Sequence, residues 1–309
     1  MRSSKCGQQE VGNDKQIDGL RCPFLTNVIK YKIMENINDL TITNDVIFGV
    51  LMRQKKYCKP LLEFILGVKI KDIVYNNDQE TISAPVINAK SVRLDVYVED
   101  DAGTVYDIEV QTTNKHNLGK RTRYYQSIID VHVLEKGEDY RKLKKSFIIF
   151  ICNYDPFNKS RLIYTFRNRC DEDYSIILPD EAAKIIINTK GTVGDISDEL
   201  RAVIQYMDSG VATTEYTKSL DKEVATVKAD EKFRREYMLY MEALANERSI
   251  GEYKRVVALI RKSSDRLSTQ DMANYFDVNE QDCSTVLDCI REHPDWNDED
   301  IAREIYWTD

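Results

Sequence analysis

Apolar and polar residues alternate along two neighbouring stretches of this 309-residue chain. In residues 92–99, Leu94, Val96 and Val98 point to one side of a predicted strand, and Asp95 points to the other. Residues 104–111 repeat the alternation, so their acidic and amide side chains share one face: Asp107, Glu109 and Gln111. The pattern predicts two adjoining strands that each carry acidic groups on one side.

The loop between the two stretches predicts how the strands align. Asp101, Ala102 and Gly103 fit a three-residue hairpin loop whose last residue has a positive φ, which glycine adopts without strain. Such a loop places Asp95 directly opposite Glu109, with both side chains on the same face. Like charges in that position destabilise a sheet, so the pair requires an explanation.

A divalent cation between the two carboxylates would explain the arrangement. Two carboxylates with backbone oxygens and water suit Mg²⁺, and such an ion polarises a phosphodiester and lowers the pKa of a bound water. Gln111, two residues beyond Glu109, is placed to orient that water or to hold a phosphate oxygen. The alternative is a two-stranded edge whose outer face is simply solvated, and alternation alone does not separate the two interpretations.

The rest of the pattern predicts helices and strands in mixed order. Residues 43–52 form a helix capped by Thr43 or Asn44, and a second helix starts at Pro60 and ends at Gly67. Two further helices are predicted over 119–137, ended by Gly137, and over 195–210. The predicted strands are VKIKDIVY, RLIYTFRNR, AAKIIINTK and KSFIIFICNY, the last of them buried on both faces.

Composition is that of a globular protein, with 42% hydrophobic and 31% charged residues. The apolar runs are strand-sized, so no membrane span is expected. Seven scattered cysteines predict reduced thiols in a cytoplasmic protein, and three histidines disfavour histidine metal clusters and Ser-His-Asp hydrolysis.

Charge is unevenly distributed along the chain. The net charge is -8, but residues 115–145 contain nine Lys and Arg against four Asp and Glu. This basic segment is either a local phosphate-binding surface or a solvated helix face.

The hairpin residues resemble a known pattern. LDVYVEDDAGTVYDIEVQ is similar to the D-x(n)-E-x-K core of the PD-(D/E)XK nuclease superfamily, in an E-x-Q variant. The resemblance extends over about residues 38–245, to the Rpn-type recombination-promoting nucleases, also described as putative transposases. The ordered segments that carry it include LTITNDVIFGVLM, CKPLLEFILG, RTRYYQSIIDVHVLEKGEDYRKLKKSFIIFICNYDPF, YTFRNRC and NTKGTVGDISDELRAVIQYMD.

The resemblance implies an α/β, restriction-endonuclease-like fold with a mixed central sheet flanked by helices. We expect a flexible leader at residues 1–37, a nuclease domain at 38–215, and a helical C-terminal region at 216–309 for dimerisation or regulation. The resemblance also implies a DNA endonuclease dependent on Mg²⁺ or Mn²⁺, linked to recombination or mobile elements. A homodimer is compatible with it, and a membrane partner is not expected.

The resemblance also assigns residues. Asp95 and Glu109 match the metal-binding acids, and Gln111 takes the place of the motif lysine. Asp45 matches the acid of the first helix, which completes the metal site or only supports it. A segment after the second strand matches residues expected to contact DNA: Arg121, Arg123, Tyr125 and Gln126. Tyr125 is alternatively a core aromatic residue.

Two departures from the pattern affect the functional interpretation. Leu94 replaces the motif proline, and Gln111 cannot carry the positive charge of lysine. A nuclease fold without activity, serving as a DNA-binding or protein-interaction module, therefore remains the alternative. Residues 267–290 are only faintly similar to a helix-turn-helix, and their acidity disfavours DNA contact. If Asp95 and Glu109 lay on opposite faces of the sheet, the metal-site interpretation would fail.

Overall fold

The structure is a computed structural model, and it describes residues 36–75, 81–82 and 92–308. The predicted leader falls almost entirely outside these residues, as does a predicted loop through Ala84 and Pro85. Among the helices in the described ranges, none has the length and apolar character needed to span a bilayer.

A mixed sheet forms the centre of the fold. Its six strands lie in the order β1-β4-β5-β6-β8-β7, while β2 and β3 form a separate two-stranded sheet. Strands β5, β6 and β8 are parallel to one another, and the other pairs are antiparallel. The strands are β1 (Ile73–Tyr75), β2 (Thr81–Ile82), β3 (Val92–Arg93), β4 (Val96–Asp100), β5 (Val105–Gln111), β6 (Ser146–Cys152), β7 (Ile163–Phe166) and β8 (Ala182–Asn188).

Helices flank this sheet and then dominate the chain. They are α1 (Asp45–Met52), α2 (Lys55–Leu66), α3 (Leu118–Val133), α4 (Asp198–Ser209), α5 (Glu215–Ala229), α6 (Glu231–Ser263), α7 (Thr269–Phe276), α8 (Glu280–Glu292) and α9 (Asp298–Thr308). The order of these elements confirms the predicted mixed α/β fold with a helical C-terminal region.

Both faces of the central strands are covered. On one face, α3 packs its apolar side chains onto β6, where Ile148 and Phe150 are fully buried. The other side of the central strands is equally inaccessible, since Ile108 and Ile149 are fully buried, and α1 packs against β5. The continuous apolar run of β6 is therefore explained by burial on both sides, as its sequence predicts.

Two predicted helix boundaries are wrong. Helix α2 begins at Lys55 and contains Pro60, because the buried stripe of the helix starts one turn earlier, at Tyr57 and Cys58. Helix α3 ends at Val133, where the chain becomes extended, and the positive φ of Gly137 belongs to the turn that follows.

The hairpin between β4 and β5 has the predicted register. Val96 pairs with Ile108 and Val98 with Tyr106, and the loop closes with the Asp100 N–H donating to the Thr104 carbonyl at 2.9 Å. Gly103 has a φ of 79°, in the left-handed region that the three-residue loop requires.

Replacing Gly103 with alanine is expected to lower the free energy of unfolding by about 1–2 kcal/mol, because a Cβ atom disfavours this backbone conformation. Space is not the cause, since the nearest atom to such a Cβ is 3.7 Å away. The matched control is Gly119→Ala, in the first turn of α3 with nothing within 4 Å. Urea titration should show a loss for the first variant only; equal values for both would contradict the assignment of the turn.

The chain forms two compact units. One continues to Arg234 and includes α5, which packs against α1 and α4, so the predicted boundary at residue 215 falls at the start of a helix of this unit. The other comprises residues 235–308 of the described chain, with a core built from α6, α7, α8 and α9. Helices α7 and α8 are joined by a tight turn in which the backbone of Asp277 is left-handed, as the pattern of short helices predicts.

The cysteines in the described ranges are free thiols: Cys58, Cys152, Cys170, Cys283 and Cys289.

Candidate active site

Asp95 lies where the chain passes from one sheet to the other. Strand β3 pairs with β2, β4 pairs with β5, and Leu94 and Asp95 connect the two pairings. The Asp95 N–H donates to Glu109 Oε1 at 2.9 Å, and the Val110 N–H donates to Asp95 Oδ2 at 3.1 Å. Each carboxylate thus accepts a hydrogen bond from a backbone N–H on the opposite side of the hairpin, at the end of the β4–β5 pairing. These hydrogen bonds hold the two acids next to each other at the end of the hairpin.

A third carboxylate lies beside this pair. Asp107 is opposite Tyr97 in the hairpin, on the same face as Glu109, and it is fully buried. Neither of its carboxylate oxygens has a hydrogen-bond donor among the described residues. Buried polar groups are nearly always hydrogen-bonded, so this one indicates a missing partner. The alternation of β5 places Asp107 on the polar face, but sequence reasoning gave it no role.

The buried acids perturb one another. Burial raises the pKa of Asp107 well above its ordinary value, the negative charge of Asp95 adds to this, and Arg121 opposes it. Burial also raises the pKa of Glu109, together with the charges of Asp107 and Asp95, against the Asp95 N–H and Arg121. With all three acids ionised, the face would carry more negative charge than its protein surroundings compensate.

Arg121 is the cation that reaches this face from α3. Its Nη2 lies 3.4 Å from Glu109 Oε2 and donates to the Tyr125 hydroxyl at 2.7 Å, and its Nη1 donates to Gln111 Oε1. The guanidinium carbon is 5.1 Å from the ring centroid of Phe150 and 5.2 Å from that of Tyr125. A short connection from β5 to α3 brings these groups together.

Comparison with known families adds a decisive observation, since residues 44–188 match the family described as PD-(D/E)XK nuclease family transposase. Over this segment the chain is similar to that family. The match begins at the N-terminal cap of α1 and ends with β8, so it includes the hairpin, α3 and the parallel strands. Searches of curated proteins and of solved structures returned no significant match.

The other predicted site residues of this segment occupy different environments. Asp45 is exposed in the first turn of α1, where its carboxylate accepts from the N–H of Val46. Arg123 is exposed on α3. Gln126 is buried and donates to Asp130 and to Ser146, so it faces the sheet. Tyr125 is buried as well, in the apolar core beneath α3, which is the alternative that the sequence left open.

The residues of the hairpin fit a hard cation such as Mg²⁺. The donors are carboxylate oxygens, and the unpartnered oxygens of buried Asp107 show that compensating positive charge is short at this place. Within the described ranges, no three side chains of His, Cys, Asp or Glu converge closely enough to hold an ion alone. Mg²⁺ commonly uses one or two carboxylates together with water and substrate phosphate, which matches the Asp95 and Glu109 pair.

Proposed function

We propose that this protein is a metal-dependent DNA endonuclease that acts in recombination or in the movement of mobile elements. The observation that carries the proposal is the pair of acids, Asp95 and Glu109, held next to each other by reciprocal hydrogen bonds at 2.9 and 3.1 Å. The similarity of residues 44–188 to the nuclease family supports the reaction class, and the excess of buried acid at the hairpin supports the requirement for a cation.

The proposed chemistry is hydrolysis of a phosphodiester. Asp95 and Glu109 would hold Mg²⁺ or Mn²⁺, and the ion would neutralise phosphate charge and make a water more acidic. The water oxygen forms a bond to phosphorus, the bond from phosphorus to one sugar oxygen breaks, and that oxygen takes up a proton. The backbone N–H groups of Asp95 and Val110 fix the acids in position, so the carboxylates need little rearrangement before the reaction.

The proposal assigns DNA contact to the part of α3 that faces solvent. Arg123 is exposed there, and a phosphate contact suits its guanidinium. Asp45 is proposed to support the site from the N-terminus of α1. The free thiols of the described cysteines support a cytoplasmic location, and a homodimer is the assembly we propose if both DNA strands are cut.

One observation favours a second candidate, a DNA-binding or protein-interaction module without activity. The Gln111 amide is engaged at both ends, since Nε2 donates to the Thr113 carbonyl at 2.6 Å and Oε1 accepts from Arg121. Gln111 is therefore not available to orient water in this conformation. An active nuclease would need another group to supply the positive charge that the motif lysine carries, whereas an inactive module would not.

The test is incubation of the purified protein with supercoiled plasmid in Mg²⁺, Mn²⁺ or EDTA, beside an Asp95→Ala variant. We expect nicked or linear product with either metal, none in EDTA and none with the variant. Retained plasmid binding without cleavage in any metal would support the inactive module. Equal cleavage by the variant would reveal a contaminating nuclease or a different site.

A further inference from the structure

Position 111 is the place where an E-x-K motif carries its lysine, and here it holds a buried glutamine, 8% exposed. This amide has two close partners within the described chain, the Thr113 carbonyl and the Arg121 guanidinium. An amide held in this way is a fixed acceptor aimed at Arg121. The side chain at position 111 therefore determines where a positive charge lies, although it carries none itself.

Arg121 is held on several sides at once. It contacts Gln111, Glu109 and the Tyr125 hydroxyl through hydrogen bonds, and the ring of Phe150 lies beneath it at 5.1 Å. Tyr125 and Phe150 are buried, and their ring centroids are 5.8 Å apart. A guanidinium fixed between two rings and two polar side chains loses little entropy when it binds a further group.

Part of Arg121 nevertheless remains open to solvent. Its side chain is 26% exposed. A guanidinium has five N–H donors, and the contacts to Gln111, Glu109 and Tyr125 engage three of them. An N–H donor that these contacts leave unused is therefore the group that would meet a phosphate oxygen next to the acids that would hold the cation.

We infer that Arg121 supplies, from α3, the positive charge that a lysine at position 111 would provide, and that Gln111 is the residue that positions it. The inference rests on the proposed nuclease function. Negative charge grows on the phosphate oxygens in the transition state, and a fixed cationic donor stabilises that charge more than it stabilises bound substrate. Arg121 is in this account a catalytic residue that touches the reacting phosphate, while Gln111 acts only through it.

A rescue experiment tests the inference. Single-turnover plasmid cleavage in Mn²⁺ is measured for the wild-type protein, Arg121→Ala, Gln111→Lys with Arg121→Ala, and the control Lys222→Ala, which removes an exposed charge from α5. We expect Arg121→Ala to slow cleavage by about 100- to 1,000-fold. The double variant, with an ammonium at position 111, should cleave at least about tenfold faster than Arg121→Ala, and Lys222→Ala should match the wild type within about threefold.

Mn²⁺ affinity, measured by calorimetry on the same proteins, separates catalysis from metal binding. Because Arg121 repels a cation, Arg121→Ala should bind Mn²⁺ as tightly as the wild type or more tightly. The inference is overturned if folded Arg121→Ala cleaves like the wild type, or if the double variant, folded and binding Mn²⁺, stays as slow as Arg121→Ala. If Arg121→Ala does not fold, Arg121→Gln, which is also neutral but fills more of the space, replaces it in both comparisons. A wild-type protein that cleaves under no condition refutes the proposed function itself, so the two failures are distinguishable.

Discussion

Replacing Gly191 with alanine is expected to destabilise the unit that contains the sheet by more than about 4 kcal/mol, at the upper limit of single substitutions. A Cβ atom at this position would lie 2.6 Å from the Arg161 carbonyl oxygen and 2.7 Å from the Leu162 Cα. Both are backbone atoms, which cannot rotate away as a side chain can. The substitution must therefore separate two backbone segments.

The segments that meet at Gly191 are tied by hydrogen bonds. The N–H groups of Thr192 and Val193 donate to the Ser160 carbonyl at 2.7 and 2.8 Å, and the Asn188 side-chain amide donates to the Arg161 carbonyl at 3.0 Å. Asn188 is fully buried at the end of β8. Moving the turn at Gly191 away from Arg161 would break these bonds, and the buried Asn188 amide would lose its acceptor at a place that water does not reach.

Thermal and urea unfolding measure this effect, and Gly67→Ala is the matched control. Gly67 has a positive φ of 67° but nothing within 4 Å of a Cβ atom, so alanine there introduces backbone strain without a clash. We expect a cost of about 1–2 kcal/mol for the control. A Gly191→Ala protein as stable as the Gly67→Ala protein would show that the two backbone segments do not approach as closely as described.

The hairpin shows which structural features the short-range pattern of apolar and polar residues determines. The alternation on both sides of Gly103 determines which face each side chain takes, and the loop length determines the register, so the pairing of Val96 with Ile108 follows from sequence. The closeness of the two backbones at Gly191 does not follow, because it depends on where the chain before β7 crosses the end of β8. No local pattern contains that distance.

The candidate site likewise has some features that local sequence pattern predicts and others that depend on how distant elements pack. Strand β5 alone places Asp107, Glu109 and Gln111 on one face, so a cluster of buried acids was within reach of sequence reasoning, and only the depth of burial of Asp107 was not. The contact between Gln111 and Arg121 depends on how α3 packs over β6. Sequence reasoning therefore assigned Arg121 and Gln126 alike to DNA contact, whereas Gln126 is buried against Ser146 and Arg121 lies beside Gln111 and Glu109 with 26% of its side chain exposed.

Divalent cations are expected to stabilise the folded protein, and to do so more strongly at higher pH. A ligand at 100 to 1,000 times its dissociation constant adds about 3–4 kcal/mol, which makes this the largest expected gain in stability. The pH dependence follows from Asp107 and Glu109, whose pKa values are raised in the folded state, chiefly by burial. Because the folded state holds these protons more tightly, metal-free stability is highest at low pH and is lost as the pH rises through the folded pKa values. A cation replaces the protons, so its benefit grows over the same range.

The Asp107→Asn variant tests whether Asp107 causes the pH dependence of metal-free stability. It removes one raised carboxyl group while leaving Asp95 and Glu109 in place, so the metal-free stability of the variant should decline less with pH than that of the wild type. The comparison is made in EDTA and in Mg²⁺ above about pH 6, because acids with a lowered pKa, such as Glu63 and Glu223, are ionised in both states there. Identical pH slopes for variant and wild type in EDTA would remove Asp107 as the cause. Stability that Mg²⁺ leaves unchanged at every pH would argue against a cation at the hairpin, whatever the outcome of the cleavage assay.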